Sequence, residues 1–205
     1  MEEITRNLRR SIEESCRNAQ ENLRTREIDK SNRIEIENRL IEEYAKKHNL
    51  WVPISDIFKM GGAFPSGNEN DVFFSENEQV IYKVNNLFNN EGSVLSLLER
   101  LCAFNRIFPE TQYEIYGFSG FGNGNVYPVL KQQYVNSATE ALDDEIESFM
   151  QSIGFRKNGN GSFENGIYEV SDLFSRNVLK DKNGVLYVVD ANVKTLNSLK
   201  AGTLR

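Results

Sequence analysis

The sequence is poor in the residues that most often mark a site or a compartment, with two cysteines, one histidine and four prolines in 205 residues. Cys16 and Cys102 lie far apart, without the close paired spacing of a zinc site or a dense disulfide framework, so a reducing cytosol is the expected home. His48 is the sole histidine, which excludes a Ser/His/Asp or Cys/His catalytic set unless His48 is itself the base. Its place at the end of a polar helical stretch assigns it to the solvated surface. No run of about 18 apolar residues exists to cross a membrane, and the first ten residues lack the apolar centre of a signal peptide. An excess of positive charge is lacking too: 24 Lys and Arg stand against 30 Asp and Glu, which disfavours the broad basic surface of a nucleic-acid protein. Any bound phosphate is expected in a local pocket, and the protein is expected to be cytoplasmic, with no membrane or nucleic-acid partner.

Residues 1–50 are dense in charge and poor in Gly and Pro. Ile4, Leu8, Ile12, Cys16, Ala19 and Leu23 recur at helical spacing and form one narrow stripe. The stretch Asp29 to Asn32 interrupts it, with Asn32 and Glu35 spaced as a helix cap and its partner. A second helix then presents Ile36, Leu40 and Tyr44. Equal numbers of acids and bases here argue against a basic membrane-surface helix. Three surfaces can cover the stripe: the domain that follows, the sister helix, or a second copy of the chain in a homodimer. Packing within the chain is the simplest of them.

From Trp51 the texture changes to short apolar bursts separated by Gly and Asn. Ile57 to Met60, Asp71 to Phe74 and Gln79 to Val84 read as a three-stranded meander, whose first two strands flank the loop Gly61 to Asn68. An amphipathic helix is expected over Glu91 to Phe104, then strands at Tyr113 to Phe118 and Val126 to Val135. Tyr113, Tyr116, Phe118 and Tyr127 alternate as sheet-core aromatics do, without interleaved basic residues, and so are expected to pack rather than stack on bases. Next come a helix over Thr139 to Ile153 with Ala141, Leu142, Ile146, Phe149 and Met150 inward, a turn at Asn158 to Gly161, and a hairpin. The hairpin runs Asn177 to Lys180 and Val185 to Asp190, closed by Asp181-Lys182-Asn183-Gly184. Boundaries are expected at 1–50, 51–136 and 137–205.

Five strands with one helix after the third, then a helix and a polar hairpin, is the order in which protein kinases lay out their parts. Lys83 sits on the third strand, where kinases hold the α- and β-phosphates. Ser171-Asp172-Leu173-Phe174-Ser175-Arg176-Asn177-Val178-Leu179 resembles the kinase catalytic loop, in which the aspartate accepts the substrate hydroxyl proton and the asparagine, five residues on, holds a metal ion. Asp190, thirteen residues after Asn177, stands where the family has its metal-binding aspartate. Phe108-Pro109-Glu110-Thr111-Gln112-Tyr113, Gly117-Phe118, Pro128-Val129-Leu130 and Gly154-Phe155 bring the likeness closer to one branch. That branch is the Ser/Thr/Tyr kinase domain found in polyvalent proteins, the large modular proteins of phages and conjugative elements.

The resemblance spans roughly Trp51 to Lys194. It implies an α+β, protein-kinase-like fold: a five-stranded antiparallel N-lobe with one helix, a minimal, truncated C-lobe, and a helical N-terminal extension. It also implies ATP and Mg²⁺ as ligands and an acceptor that bears a hydroxyl. In the roles it implies, Asp172 is the base and Lys83 grips the phosphates, while Gly61, Gly62 and Gly67 cover them; Asn177 and Asp190 hold the metal. For the helix acid that pairs with Lys83, Glu99 is expected over Glu91, on its spacing from Lys83 and from Tyr113. The Gly61 to Gly67 loop departs from G-x-G-x-x-G, Val170-Ser171 stand in place of His-Arg, and Ala191-Asn192 in place of Phe-Gly. Fifteen residues follow Asp190 here, so peptide-docking helices are not expected, and a small-molecule acceptor or an exposed side chain is. The alternative function is a pseudokinase that presents its helices to a partner.

Overall fold

A computed structural model describes residues 1–23, 28–90, 92–136 and 139–196. The chain forms two compact units, one of residues 1–99 with 113–134, the other of residues 100–112 with the chain from 135 on. Both mix helices with antiparallel sheet.

The first unit begins with α1 (Glu2–Leu23) and α2 (Lys30–Lys47). Asp29, not Asn32, caps α2: its carboxylate accepts the Asn32 N–H at 3.1 Å, and its extended backbone is the geometry that a cap requires. Leu8, Ile12 and Cys16 of the α1 stripe are buried within the single chain, while Ile4 and Ala19 are half-buried. On α2 the buried face is Glu37, Asn38, Ile41 and Ala45, one position round the helix from the expected Ile36, Leu40 and Tyr44. The shift arises because two polar residues have interior partners. Asn38 accepts the Val126 N–H at 3.3 Å, and Glu37 accepts the Leu95 N–H at 2.9 Å and the Ser93 hydroxyl at 3.1 Å.

A five-stranded sheet follows, in order β1-β2-β3-β5-β4 and antiparallel throughout: β1 (Gly62–Phe64), β2 (Asn70–Ser75), β3 (Val80–Asn85), β4 (Tyr113–Ser119) and β5 (Tyr127–Gln133). The strand expected over Ile57 to Met60 is instead the last residue of a helical turn, α3 (Ile54–Ile57), and the turn after it, and the first strand starts later. Pro53 starts the turn by accepting the Asp56 N–H at 2.9 Å, and Lys59 braces it through Asp56 at 2.9 Å. The run satisfies its apolar pattern by burying Ile57 with Val52, Val84 and Val129, and leaves Phe58 exposed. Residues 50–52 run along the outer edge of β4: Phe118 N–H donates to Leu50 O and Val52 N–H to Phe118 O, each at 2.8 Å. A Cβ on Gly117 would lie 2.5 Å from Leu50 O, so this contact needs glycine. The helix after β3 is α4 (Val94–Ile107), which the two units share. The expected start at Glu91 lies outside the described residues.

In the second unit, the helix expected from Thr139 starts four residues later, as α5 (Asp143–Ser152), because Thr139–Glu140 forms β6 against β10 (Val178–Lys180). Leu142 N–H donates to the Glu145 carboxylate at 2.9 Å, and three acids fill the first turn, where the helix dipole favours negative charge. Ala141, Ile146 and Met150 are buried, whereas Leu142, at the cap, is exposed. Gly154, at φ +87°, ends the helix as expected. The expected hairpin is present: β10 pairs with β11 (Leu186–Val188) in the register Val178↔Val188. A four-stranded sheet ordered β12-β9-β8-β7 completes the unit, from β7 (Arg156–Gly159), β8 (Ser162–Glu164), β9 (Tyr168–Ser171) and β12 (Asn192–Thr195).

Burial raises the Glu37 carboxyl above the ordinary carboxylate range, against the hydrogen bonds from Leu95 and Ser93. A carboxyl raised on folding contributes stability that is full below its unfolded value and is lost as pH rises through the folded one. Denaturant melts should show wild type losing stability relative to Glu37→Gln as pH rises from the carboxylate range to neutrality. Glu37→Ala, which removes the acceptor of the Leu95 N–H and leaves Ser93 as the acceptor of the Ser96 N–H at the α4 N-terminus, should cost about 1–2 kcal/mol.

Candidate functional site

Lys83 belongs to the first unit, and Asp172, Asn177 and Asp190 to the second. β9 delivers the chain into Asp172, which adopts φ +62°, a left-handed conformation that aspartate tolerates better than most side chains. The Asn177 side-chain amide donates to the Asp172 carbonyl at 2.7 Å and to its Oδ2 at 3.0 Å. Arg176 donates to the other carboxylate oxygen, Oδ1, at 2.5 Å. Between them, Ser175–Asn177 form a single 3₁₀ turn, with the Asn177 N–H donating to Phe174 O at 2.8 Å. The base expected from the sequence is thus held from both oxygens, and neither side chain that holds it is buried.

Asn177 opens the β10–β11 hairpin and Asp190 follows it. The Val189 N–H donates to Asn177 O at 2.9 Å, which brings the two ends of the hairpin together. The amide nitrogen of Asn177 is engaged by Asp172, and its Oδ1 takes no part in that contact. One amide oxygen and one carboxylate are hard donors of the kind that Mg²⁺ accepts, and that ion commonly completes its shell with water and substrate phosphates. Among the described residues no three His, Cys, Asp or Glu side chains gather as a cation site.

In the first unit, Lys83 lies in the middle of β3, opposite Val72 and Leu130, and is buried. Its ammonium donates to the Tyr113 hydroxyl at 2.9 Å and stands 4.7 Å from the centre of that ring. Tyr82, next in the strand, points to the other face, where its hydroxyl donates to Glu78 at 2.6 Å. Glu99 is given another partner than the one expected: its half-exposed carboxylate accepts from Arg9 of α1 at 2.8 Å. The helix phase leaves that acid half-exposed. Glu91, the other candidate, lies outside the described residues.

The three expected loop glycines differ in their surroundings. A Cβ on Gly61 would fall 2.1 Å from the Phe74 carbonyl oxygen, so β2 itself demands glycine there. Gly62 starts β1 and Gly67 lies in the β1–β2 connection, both with open space where a side chain would be. Ser66 ties that connection, accepting the Val72 N–H at 3.0 Å and donating to Phe64 O at 3.2 Å. A cavity of about 410 Å³ between α5 and the β10–β11 turn, lined by Asp144, Glu145, Phe149 and Leu186 among others, contains none of the expected site residues.

Two residues at these sites escaped the sequence reading. Tyr113 alternates as a core aromatic does, and nothing local signals that its hydroxyl faces Lys83. Arg176 was visible as a charge four residues after Asp172, but its role depends on the 3₁₀ turn that folds it back. A double-mutant cycle of Lys83→Met and Tyr113→Phe, read by urea denaturation, should give a coupling of roughly 1–2 kcal/mol, whereas Tyr116→Phe should not couple to Lys83.

The family described as Serine/Threonine/Tyrosine Kinase found in polyvalent proteins matches residues 35–197. The match reaches back into α2, sixteen residues before the Trp51 at which the resemblance begins in the sequence. No curated protein and no solved structure matches the chain. Among the described residues, no helix is long and apolar enough to cross a membrane.

Proposed function

The chain belongs to the Ser/Thr/Tyr kinases found in polyvalent proteins, and we propose on that footing that it transfers the γ-phosphate of ATP to a hydroxyl. The observation that carries this reading is the Asp172–Arg176–Asn177 cluster, a carboxylate oriented from both oxygens at the entry of a hairpin that ends in Asp190. Asp172 takes the proton of the acceptor hydroxyl as that oxygen bonds to the γ-phosphorus and the bond from phosphorus to the ADP oxygen breaks. Lys83 neutralises charge on the α- and β-phosphates, and Tyr113 fixes the lysine's direction until they arrive. β1, with Gly62 open, and the β1–β2 connection, with Gly67 open, cover the phosphates with backbone. Asn177 Oδ1 and the Asp190 carboxylate would hold magnesium, which would supply charge neutralisation at the phosphate oxygens. Glu99, turned to Arg9, is read as a tie between α1 and α4 and has no part in the reaction.

Thermal unfolding with and without ATP and Mg²⁺ tests the nucleotide site. At about a hundred times the dissociation constant, ligand should stabilise wild type by roughly 2.7 kcal/mol. Lys83→Ala and Asp190→Asn should lose most of that rise, while Asp172→Asn should keep it and lose turnover. No rise at millimolar ATP in wild type would overturn the reading in favour of a kinase-shaped binding module.

A further inference from the structure

The connection between β7 and β8 touches the loop that carries Asp172, although nothing in the phosphotransfer chemistry calls for it. Gly161, at φ +62°, closes that turn, and a Cβ there would come within 2.8 Å of two ring carbons of Phe174. The Gly161 carbonyl accepts the N–H of Leu173, the residue after Asp172, at 3.0 Å, and Leu173 is buried. The Phe174 ring, seated where a side chain on Gly161 would have been, carries the Arg176 guanidinium on its face at 4.8 Å. Arg176 in turn reaches Asp172 Oδ1.

We propose that the β7–β8 turn is the foundation of the base: Gly161 and Phe174 are positioning residues that hold Arg176, and through it one oxygen of Asp172, in a single orientation. The proposal rests on the kinase reading for its functional consequence but on these contacts for its structure. An exposed arginine has many rotamers, and a guanidinium stacked on an aromatic face loses little more freedom when it forms its hydrogen bond. An exposed Arg–Asp pair left to itself is weak and would let the carboxylate turn. With the ring beneath it, the arginine works as a fixed stop, and Asn177 works as the opposite one on Oδ2. Two requirements meet at residue 161: a left-handed backbone, which asparagine also accepts, and an absent side chain, which only glycine provides.

The test uses the full chain labelled with ¹³C at aspartate Cγ, the Asp172 signal being assigned by its loss in Asp172→Asn. Arg176→Ala defines the displacement of that signal when the stop is removed. Phe174→Leu, which keeps apolar bulk but loses the aromatic face, and Gly161→Asn, which keeps the backbone conformation but fills the seat, should both move the signal in that direction. Phe174→Tyr should leave it in place. Gly166→Asn should as well, since Gly166 has a similar φ of +84° with nothing within 4 Å of its Cβ position. In magnesium-dependent ATP hydrolysis, Phe174→Leu should lower kcat roughly tenfold with KM for ATP within about twofold, a loss of orientation rather than of binding. An Asp172 signal that moves in Arg176→Ala but stays in both Phe174→Leu and Gly161→Asn would overturn the proposal. Absence of ATP turnover in wild type would instead count against the kinase reading and would leave the carboxylate signal to decide this one.

Discussion

The side-chain amide of Asn177 holds the backbone and the carboxylate of Asp172 at once, and the arrangement of the second unit hangs on that contact. An aspartate at positive φ is an uncommon conformation that persists only where its surroundings enforce it. Here the enforcement comes from both directions along the chain. β9, paired with β12, delivers the residue, and the 3₁₀ turn brings Arg176 and Asn177 back onto it before β10 leads away. Because Asn177 O also accepts from Val189 N–H, the same residue that fixes the base closes the hairpin leading to Asp190.

The first unit is organised around buried charge and polarity. Lys83 and Glu37 are both buried, and each is tolerated because a partner stands within hydrogen-bond distance: the Tyr113 hydroxyl for the lysine, Ser93 and the start of α4 for the acid. Glu37 ties α2 to the elements that follow it. It contributes an acceptor to the helix after β3, the segment that follows it pairs with β4, and the family match begins at residue 35.

How much of this was legible depended on how local each signal was. The β-branched run Val80 to Val84, the aromatic alternation from Tyr113 and the Asp-Lys-Asn-Gly turn each carry their structure within a few residues, and β3, β4 and the β10–β11 hairpin lie where expected. Ile57 to Met60 has an apolar pattern that suits either period, and Pro53 with Asp56 decided for a helical turn. Thr139–Glu140 was drawn into a strand by β10, forty residues away, which no helical periodicity could announce. In the same way the spacing of Asp172, Asn177 and Asp190 was readable along the chain. The contacts of Tyr113 and Gly161 were not, because each is made to a residue that only the fold brings near, and that of Arg176 was not because it needs the 3₁₀ turn.

In the function proposed above, Asn177 and Asp190 form the divalent-ion site of a phosphotransferase. Water proton relaxation with Mn²⁺ in place of Mg²⁺ tests it without knowledge of the acceptor. Adding ATP and Mn²⁺ to wild type should give a clear relaxation enhancement over ATP and Mn²⁺ alone, and Asn177→Ala should abolish most of it. An equal enhancement in wild type and Asn177→Ala would contradict the account and would place the ion, if bound, elsewhere in the molecule.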